Sequence, residues 1–383
     1  MPKTAVPITP AVLDWAISES GFTPAEVAKE AGVELADLNA WLKDKSKPGV
    51  TQVRALAQVL RRPVAALLLP TPPVSGLPDV RFRHTPGVAG RSLTPKERRY
   101  LRKAVRLQRM LGWVAQEIGE RGPNLPRATL DQEPAGAGHA TREALGISIE
   151  SQLQWTSASV AFDAWRQSVE HLGVAVFLFQ LGAENCRGFS VWDDEVPIIA
   201  VNTAWNDEAR IFTLFHELAH LAIRTNSACT AGDPAAVSGA WDPTERWCER
   251  FAASVLIPDS ALRRTIAERL GVGVDQVVDV GQVRRIASRF RTSLRATTIR
   301  LIELDLATWD LYRQLPAASD AKRRGGAAKG GRDRQEIQED SLGARTTNLF
   351  HRAVEADVVT RSEALTYLDI PDPSFDQINV RAV

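Results

Sequence analysis

Along the first seventy residues, apolar side chains recur at helical spacing in short runs parted by breakers. Val12, Trp15 and Ala16 suit one helix. After Gly21, the run Thr23-Pro24-Ala25-Glu26 pairs a capping threonine with a glutamate three residues on and a proline in the first turn. This is the start signal of a second helix through Val27, Ala28 and Ala31. Gly32 interrupts the pattern, and Leu35, Leu38 and Trp41 then mark the buried face of a third helix over 35–42. Further helices are predicted over 50–60 and 64–69. Pro70-Thr71-Pro72-Pro73 stops the series, and Leu77 to Arg83 reads as an extended connector. A long amphipathic helix follows over 95–117, basic on one side and leucine-bearing on the other, and its charge fits a solvated face better than a nucleic-acid patch. The proline- and glycine-bearing stretch from Gly122 to Gly138 reads as loop.

The rhythm then changes. A helix near Ser157–Leu172 leads through Gly173 into Val174-Ala175-Val176-Phe177-Leu178-Phe179, whose length and composition fit a buried strand. Two more strands are expected at 188–192 and 196–201, parted by an Asp193-Asp194 turn. Helical segments resume beyond Pro258 and continue to about Tyr312. The stretch Lys322 to Arg334 holds almost no apolar side chain and reads as a flexible linker. A short helical pair, 342–356 and 362–368, ends the pattern. The fold expected is α+β: an N-terminal five-helix unit over 1–72, a helical connector over 73–150, a central domain with a small sheet and active-site helices over 151–316, a linker over 317–340, and a small helical segment over 341–383.

Two short helices joined by a brief turn with glycine make a helix-turn-helix. Through Thr23-Pro24-Ala25-Glu26-Val27-Ala28, Gly32-Val33, Leu38-Asn39-Ala40-Trp41 and Leu56-Ala57, the first unit resembles the Xre and lambda-repressor type. That resemblance implies DNA contacts from the third helix and its end, where Asn39, Lys43, Lys45 and Lys47 lie. The same helix carries Glu34 and Asp37, which phosphates would repel, so a protein-interaction module that has kept the fold without the DNA stands as the alternative.

Composition narrows the classes. The 383 residues carry 47 Lys and Arg against 46 Asp and Glu, so no global field attracts nucleic acid, and any such binding needs a local patch. No apolar run approaches the roughly 20 residues of a membrane helix, and the start Met1-Pro2-Lys3-Thr4 lacks a secretory signal's apolar stretch. Three scattered cysteines, Cys186, Cys229 and Cys248, offer neither a disulfide framework nor a zinc-ribbon spacing. A cytoplasmic protein, with no membrane partner, is expected.

The chemistry concentrates in Phe215-His216-Glu217-Leu218-Ala219-His220. Helix residues four apart share a face, so His216 and His220 can offer two imidazoles to one zinc ion, with Glu217 beside them as proton acceptor for the water that attacks a peptide bond. Two ordinary histidines on a helix are the plain alternative. Against it, Leu214, Phe215, Leu218, Ala219, Leu221 and Ala222 make the helix apolar around its polar triad, as burial requires. No third histidine follows at metzincin spacing. The next amphipathic helix, from Pro243 to Pro258, supplies Glu245 and Glu249 on one face, and Glu245 is assigned as third ligand with Glu249 orienting a ligand histidine. Cys248 borders that face and fits a small buried thiol better than a soft ligand.

Through Phe215 to His220 and then Glu245-x-x-Cys248-Glu249-x-Phe251-Ala252-Ala253 running to Leu256-Ile257-Pro258, the chain resembles the ImmA/IrrE metallopeptidases over about 162–258. The resemblance implies that Glu245 is the third zinc ligand. At Glu249 that family commonly has Asn or Asp. Its members belong to bacteria and their phages, and some cleave a helix-turn-helix repressor. Several carry an Xre-type N-terminal domain, and fused forms can occur beside toxin-like partners. The resulting expectation is a zinc-dependent endopeptidase acting on a repressor or toxin–antitoxin partner. A DNA-binding regulator or antitoxin that keeps the zincin fold as a sensing or interaction module is the competing reading.

Overall fold

The computed structural model describes residues 5–73, 81–83, 93–229, 242–271, 273, 276–316 and 340–370. The linker expected over 317–340 lies almost wholly outside them. By their contacts the residues form two compact units, Met1–Leu77 with Ser92–Lys103, and Pro78–Arg91 with Ala104–Val383.

The first unit contains α1 (Pro10–Ser20), α2 (Pro24–Ala31), α3 (Leu35–Leu42), α4 (Val50–Leu60) and a 3-10 turn, Val64–Leu68. The Thr23 and Glu26 capping box is formed: Glu26 N donates to Thr23 Oγ1 at 3.3 Å and Thr23 N donates to Glu26 Oε2 at 2.7 Å. Leu13, Ile17, Val27, Leu38, Trp41, Val53, Leu56 and Leu60 close one core. Leu35 departs from expectation, being 41% exposed, because it opens the first turn of α3 and overhangs the core that Leu38 and Trp41 enter. Helix α5 (Pro95–Glu117) gives its first residues to this unit, where Arg98 and Arg102 donate to the carbonyls of Ser18 and Glu19 that end α1.

The second unit is built on a sheet whose strands lie in the order β1-β5-β3-β4-β2. These are β1 (Arg81–Arg83), β2 (Ala175–Phe179), β3 (Gly188–Val191), β4 (Ile198–Asn202) and β5 (Ser227–Cys229). β2 runs parallel to β4, β3 is antiparallel to both β4 and β5, and β1 is parallel to β5. β2, β3 and β4 are buried along their whole length, which is why the sequence shows apolar runs instead of alternation. β1 and β5 were not expected as strands. Three residues are too few to carry a period, and their strand character comes from pairing alone.

Helices α8 (Ala158–His171) and α9 (Asp207–Ala222) pack on this sheet and on each other. Trp165 of α8 meets Phe215 of α9 edge-on, with ring centroids 4.9 Å apart, in a core that also holds Phe162, Phe251 and Phe290. Part of the stretch expected as loop is helical: α6 (Pro134–Leu145) begins on a proline and packs along α10 (Pro243–Leu256). The glycines there serve contact. A Cβ on Gly138 would sit 2.0 Å from Ser254 Oγ and 3.1 Å from the Phe251 carbonyl, so α6 can approach α10 only without one. The short α7 (Ile149–Gln154) precedes α8, and α11 (Asp259–Leu270), α12 (Val280–Phe290), α13 (Leu294–Glu303) and α14 (Trp309–Arg313) follow α10. The last pair, α15 (Ala344–Glu355) and α16 (Arg361–Leu368), belongs to this unit, with Ala344 N donating to buried Glu170 at 3.1 Å. Among the described residues no helix is long and apolar enough to cross a membrane.

Candidate metal centre

Helix α9 is fixed at its start by Asn206, whose side chain accepts from Ala209 N at 2.9 Å, and Asp207 and Glu208 face the positive end of the helix dipole. Beyond its first turn the helix is buried nearly all round, and its polar residues go into the interior with it: His216 is 7% exposed, and Glu217 and His220 are fully buried. Charged and imidazole groups persist in such a place only when they are paired or ligate a metal.

Their partner comes from α10. Asp242 caps this helix by accepting from Thr244 N at 2.9 Å, which sets Glu245 in its first turn. The Trp247 indole donates to the Gln132 carbonyl at 2.8 Å and its ring stacks on Phe251, fixing the helix against α6 and its approach. Glu245 Oε2 then lies 3.0 Å from His216 Nε2, and Glu245 Oε1 lies 3.4 Å from His220 Nε2. The two Nε2 atoms are 3.3 Å apart. One ligand atom from each of His216, His220 and Glu245 lies within 4.8 Å of the others, and all three residues are buried.

The electrostatics follow from this convergence. Burial alone would pull His216 down, but the hydrogen bond and charge of Glu245, with Glu217 and Glu249 adding to it, raise it to about 9. Burial pushes the Glu245 carboxyl up, and the two imidazoles outweigh that and hold it well below the ordinary carboxylate range. Two nitrogens and a carboxylate aimed at one point are a donor set with which three protein ligands can hold one metal ion. The residues therefore fit a metal ion.

Glu217 occupies a separate position. Its Oε2 accepts from the Ser190 hydroxyl of β3 at 2.8 Å, both groups being fully buried. β3 can pass this close to α9 because its first residue is Gly188, where a Cβ would stand 2.7 Å from Thr213 Cγ2 and 2.8 Å from the Ala200 carbonyl. Nothing in the spacing of the sequence singled out Ser190. Only the pairing of β3 over α9 brings it to Glu217.

Glu249 lies one turn beyond Glu245 and acts on His216 through its charge. Burial first, then the repulsion of Glu245 and Glu303 against the pull of His216, lifts Glu249 to about 7. Glu249 was expected to orient a ligand histidine, and what the structure describes is its charge acting on His216. On His220 the second ring nitrogen faces Thr225 instead, with Nδ1 3.3 Å from Oγ1. Thr225 carries no motif signal and was missed. Cys248 is buried and lies outside the ligand group.

Residues 169–301 match the family model Peptidase_M78, the IrrE N-terminal-like domain. The matched span takes in β2 to β5, α9 and α10, hence every residue of the His-His-Glu group, Glu217 and Ser190. It covers well under half of the chain and leaves the first unit outside. No curated protein matches the chain. The match and the buried ligand group together point to a metallopeptidase of the IrrE/ImmA type.

In the first unit, Asn39, Lys43, Lys45 and Lys47 are all exposed, Asn39 on α3 and the lysines in the turn after it. Lys47 is engaged, donating to the Ile8 carbonyl at 3.1 Å and pairing with Asp44. Glu34 and Asp37 are exposed on the same helix end.

Proposed function

We propose that this chain is a zinc-dependent endopeptidase that cleaves a specific regulatory protein, a helix-turn-helix repressor or a toxin-system partner, in the cytoplasm. The observation that carries the reading is the convergence of His216, His220 and Glu245 beside a separately held Glu217. His216 Nε2, His220 Nε2 and the Glu245 carboxylate would hold the zinc ion. Zinc bound there would supply Lewis acidity, polarising the scissile carbonyl and making water acidic enough to lose a proton near neutral pH. Glu217 would take that proton and return it to the leaving amine nitrogen. The Ser190 hydroxyl, by holding one Glu217 oxygen, would fix the carboxylate plane before a substrate arrives. Full burial of Glu217 would keep bulk water from the base.

We read the first unit as an Xre-like module that recognises a protein. Exposed Glu34 and Asp37 oppose a phosphate backbone, and Lys47 is already committed to Asp44 and the Ile8 carbonyl.

Elemental analysis of the purified chain together with capture by a Glu217→Gln form tests the reading. About one zinc per chain is expected in both forms, with loss of most of it in His216→Ala and Glu245→Ala, and with an intact protein retained by Glu217→Gln that the wild type cuts. Absence of zinc from the wild type, or an unchanged biological output in a Glu217→Gln strain, would count for the regulator in which this domain only senses or binds.

A further inference from the structure

The elbow that follows α9 bears on how His220 meets its metal. The helix ends at Ala222 with Ile223 as its cap, and Arg224 turns the chain in the left-handed region at φ 58°. Its guanidinium lies 3.5 Å from the Trp192 ring centroid and donates to the carbonyls of Leu221, at 2.8 Å, and Leu125, at 3.2 Å. Asn226 accepts from Trp192 N at 2.8 Å, and Ser227 then enters β5 opposite Ser190 of β3. Thr225 is thus held between two anchored neighbours, and its own N–H donates to the His220 carbonyl at 2.9 Å.

The Thr225 side chain touches His220 twice. Oγ1 lies 3.2 Å from the His220 carbonyl oxygen and 3.3 Å from His220 Nδ1. The shorter contact is a hydrogen bond from the Thr225 hydroxyl to the carbonyl oxygen, which can only accept, and it takes the single hydroxyl proton. The hydroxyl oxygen then has only lone pairs to offer the ring, and Nδ1 must be the nitrogen that carries a proton. In the neutral imidazole this leaves Nε2 bare, and Nε2 is the atom that faces His216 Nε2 at 3.3 Å and Glu245 Oε1 at 3.4 Å.

We propose that Thr225 is a positioning residue for the metal site: its hydroxyl locks His220 in the Nδ1–H tautomer and aims the Nε2 lone pair at the ion. The proposal rests on the metallopeptidase reading. It assigns to a threonine hydroxyl, relayed to the ligand's own backbone carbonyl, the part that a carboxylate often plays behind a ligating histidine. Because the backbone bond from Thr225 N and the anchors at Arg224 and Asn226 do not involve the hydroxyl, removing it leaves the elbow its main supports.

The test is zinc affinity of the full chain, measured by competition with a chromophoric chelator. Thr225→Val keeps the side chain's bulk without the hydroxyl and should bind zinc roughly 10- to 100-fold more weakly, while Thr225→Ser should stay within about threefold of wild type. The metal-free Thr225→Val protein should unfold at the same urea concentration as the metal-free wild type. If Thr225→Val does not fold, Thr225→Ala takes its place with the same expectation. Wild-type affinity in the valine or alanine form overturns the proposal, as does an equal loss in the serine form, since bulk and backbone would then be the cause. A wild type that takes up no zinc overturns the metallopeptidase reading itself, a separate outcome.

Discussion

Replacing Glu245 with glutamine in the metal-free protein removes the charge that faces both histidines at nearly constant volume. His216 stands at about 9 against its ordinary 6.5, because Glu245 outweighs burial. At about 1.4 kcal/mol per pKa unit, that difference favours the folded state by on the order of 3 kcal/mol. The pKa is raised on folding, so this stability is complete below about pH 6.5 and is lost as the pH rises through about 9. Glu245 is shifted the other way, so its share is present above about pH 4.5 and lost as the pH falls below that. The pair contributes most between those two limits. Glu245→Gln should therefore cost most, about 3 kcal/mol, near pH 6, and progressively less towards pH 10. Urea melts of chelator-treated wild type and Glu245→Gln across that range give the difference by linear extrapolation. A cost that does not change with pH would refute the pairing. Zinc should reverse the trend in the wild type: the ion must displace the His216 proton, so stabilisation by added zinc should grow from about pH 6 to 8, and Glu245→Gln should show little of it.

Two further outcomes are expected. Gly138→Val drives a branched side chain into Ser254 and the Phe251 carbonyl and should cost about 1–3 kcal/mol in the same urea melts, with weaker zinc binding because α10 carries Glu245; wild-type stability would show that α6 can move away freely. In gel-shift titrations at physiological salt, the full chain should bind random duplex weakly, because residues 1–75 set eight basic side chains against seven acidic ones; sub-micromolar, sequence-selective binding to its own operon's promoter would make the first unit a DNA reader.

What the sequence made legible was whatever a local rule determines. The Thr23–Glu26 box, the 95–117 helix and the buried runs at 175–179 and 198–202 each carry their own cap, period or apolar run, and each forms about where its pattern lies. His216, Glu217 and His220 share that property, since one helical turn brings them together. Glu245 needed a second helix, and its place beside His216 was legible only as an amphipathic face following the motif. What stayed hidden depends on chain segments meeting from far apart. Gly138 looks like a loop residue until α10 lies against it, for the same lack of Cβ that weakens an isolated helix is what lets two helices touch. Ser190 and Thr225 are ordinary residues in the sequence, and they become specific through hydrogen bonds to α9, Ser190 to Glu217 and Thr225 to His220. The donor set can thus be read from spacing, whereas the hydroxyls that orient it are set by how β3 and the elbow before β5 cross that helix. A substitution that preserves the motif but shifts β3, such as filling the Gly188 contact, would leave every ligand in place by sequence and still misdirect Glu217.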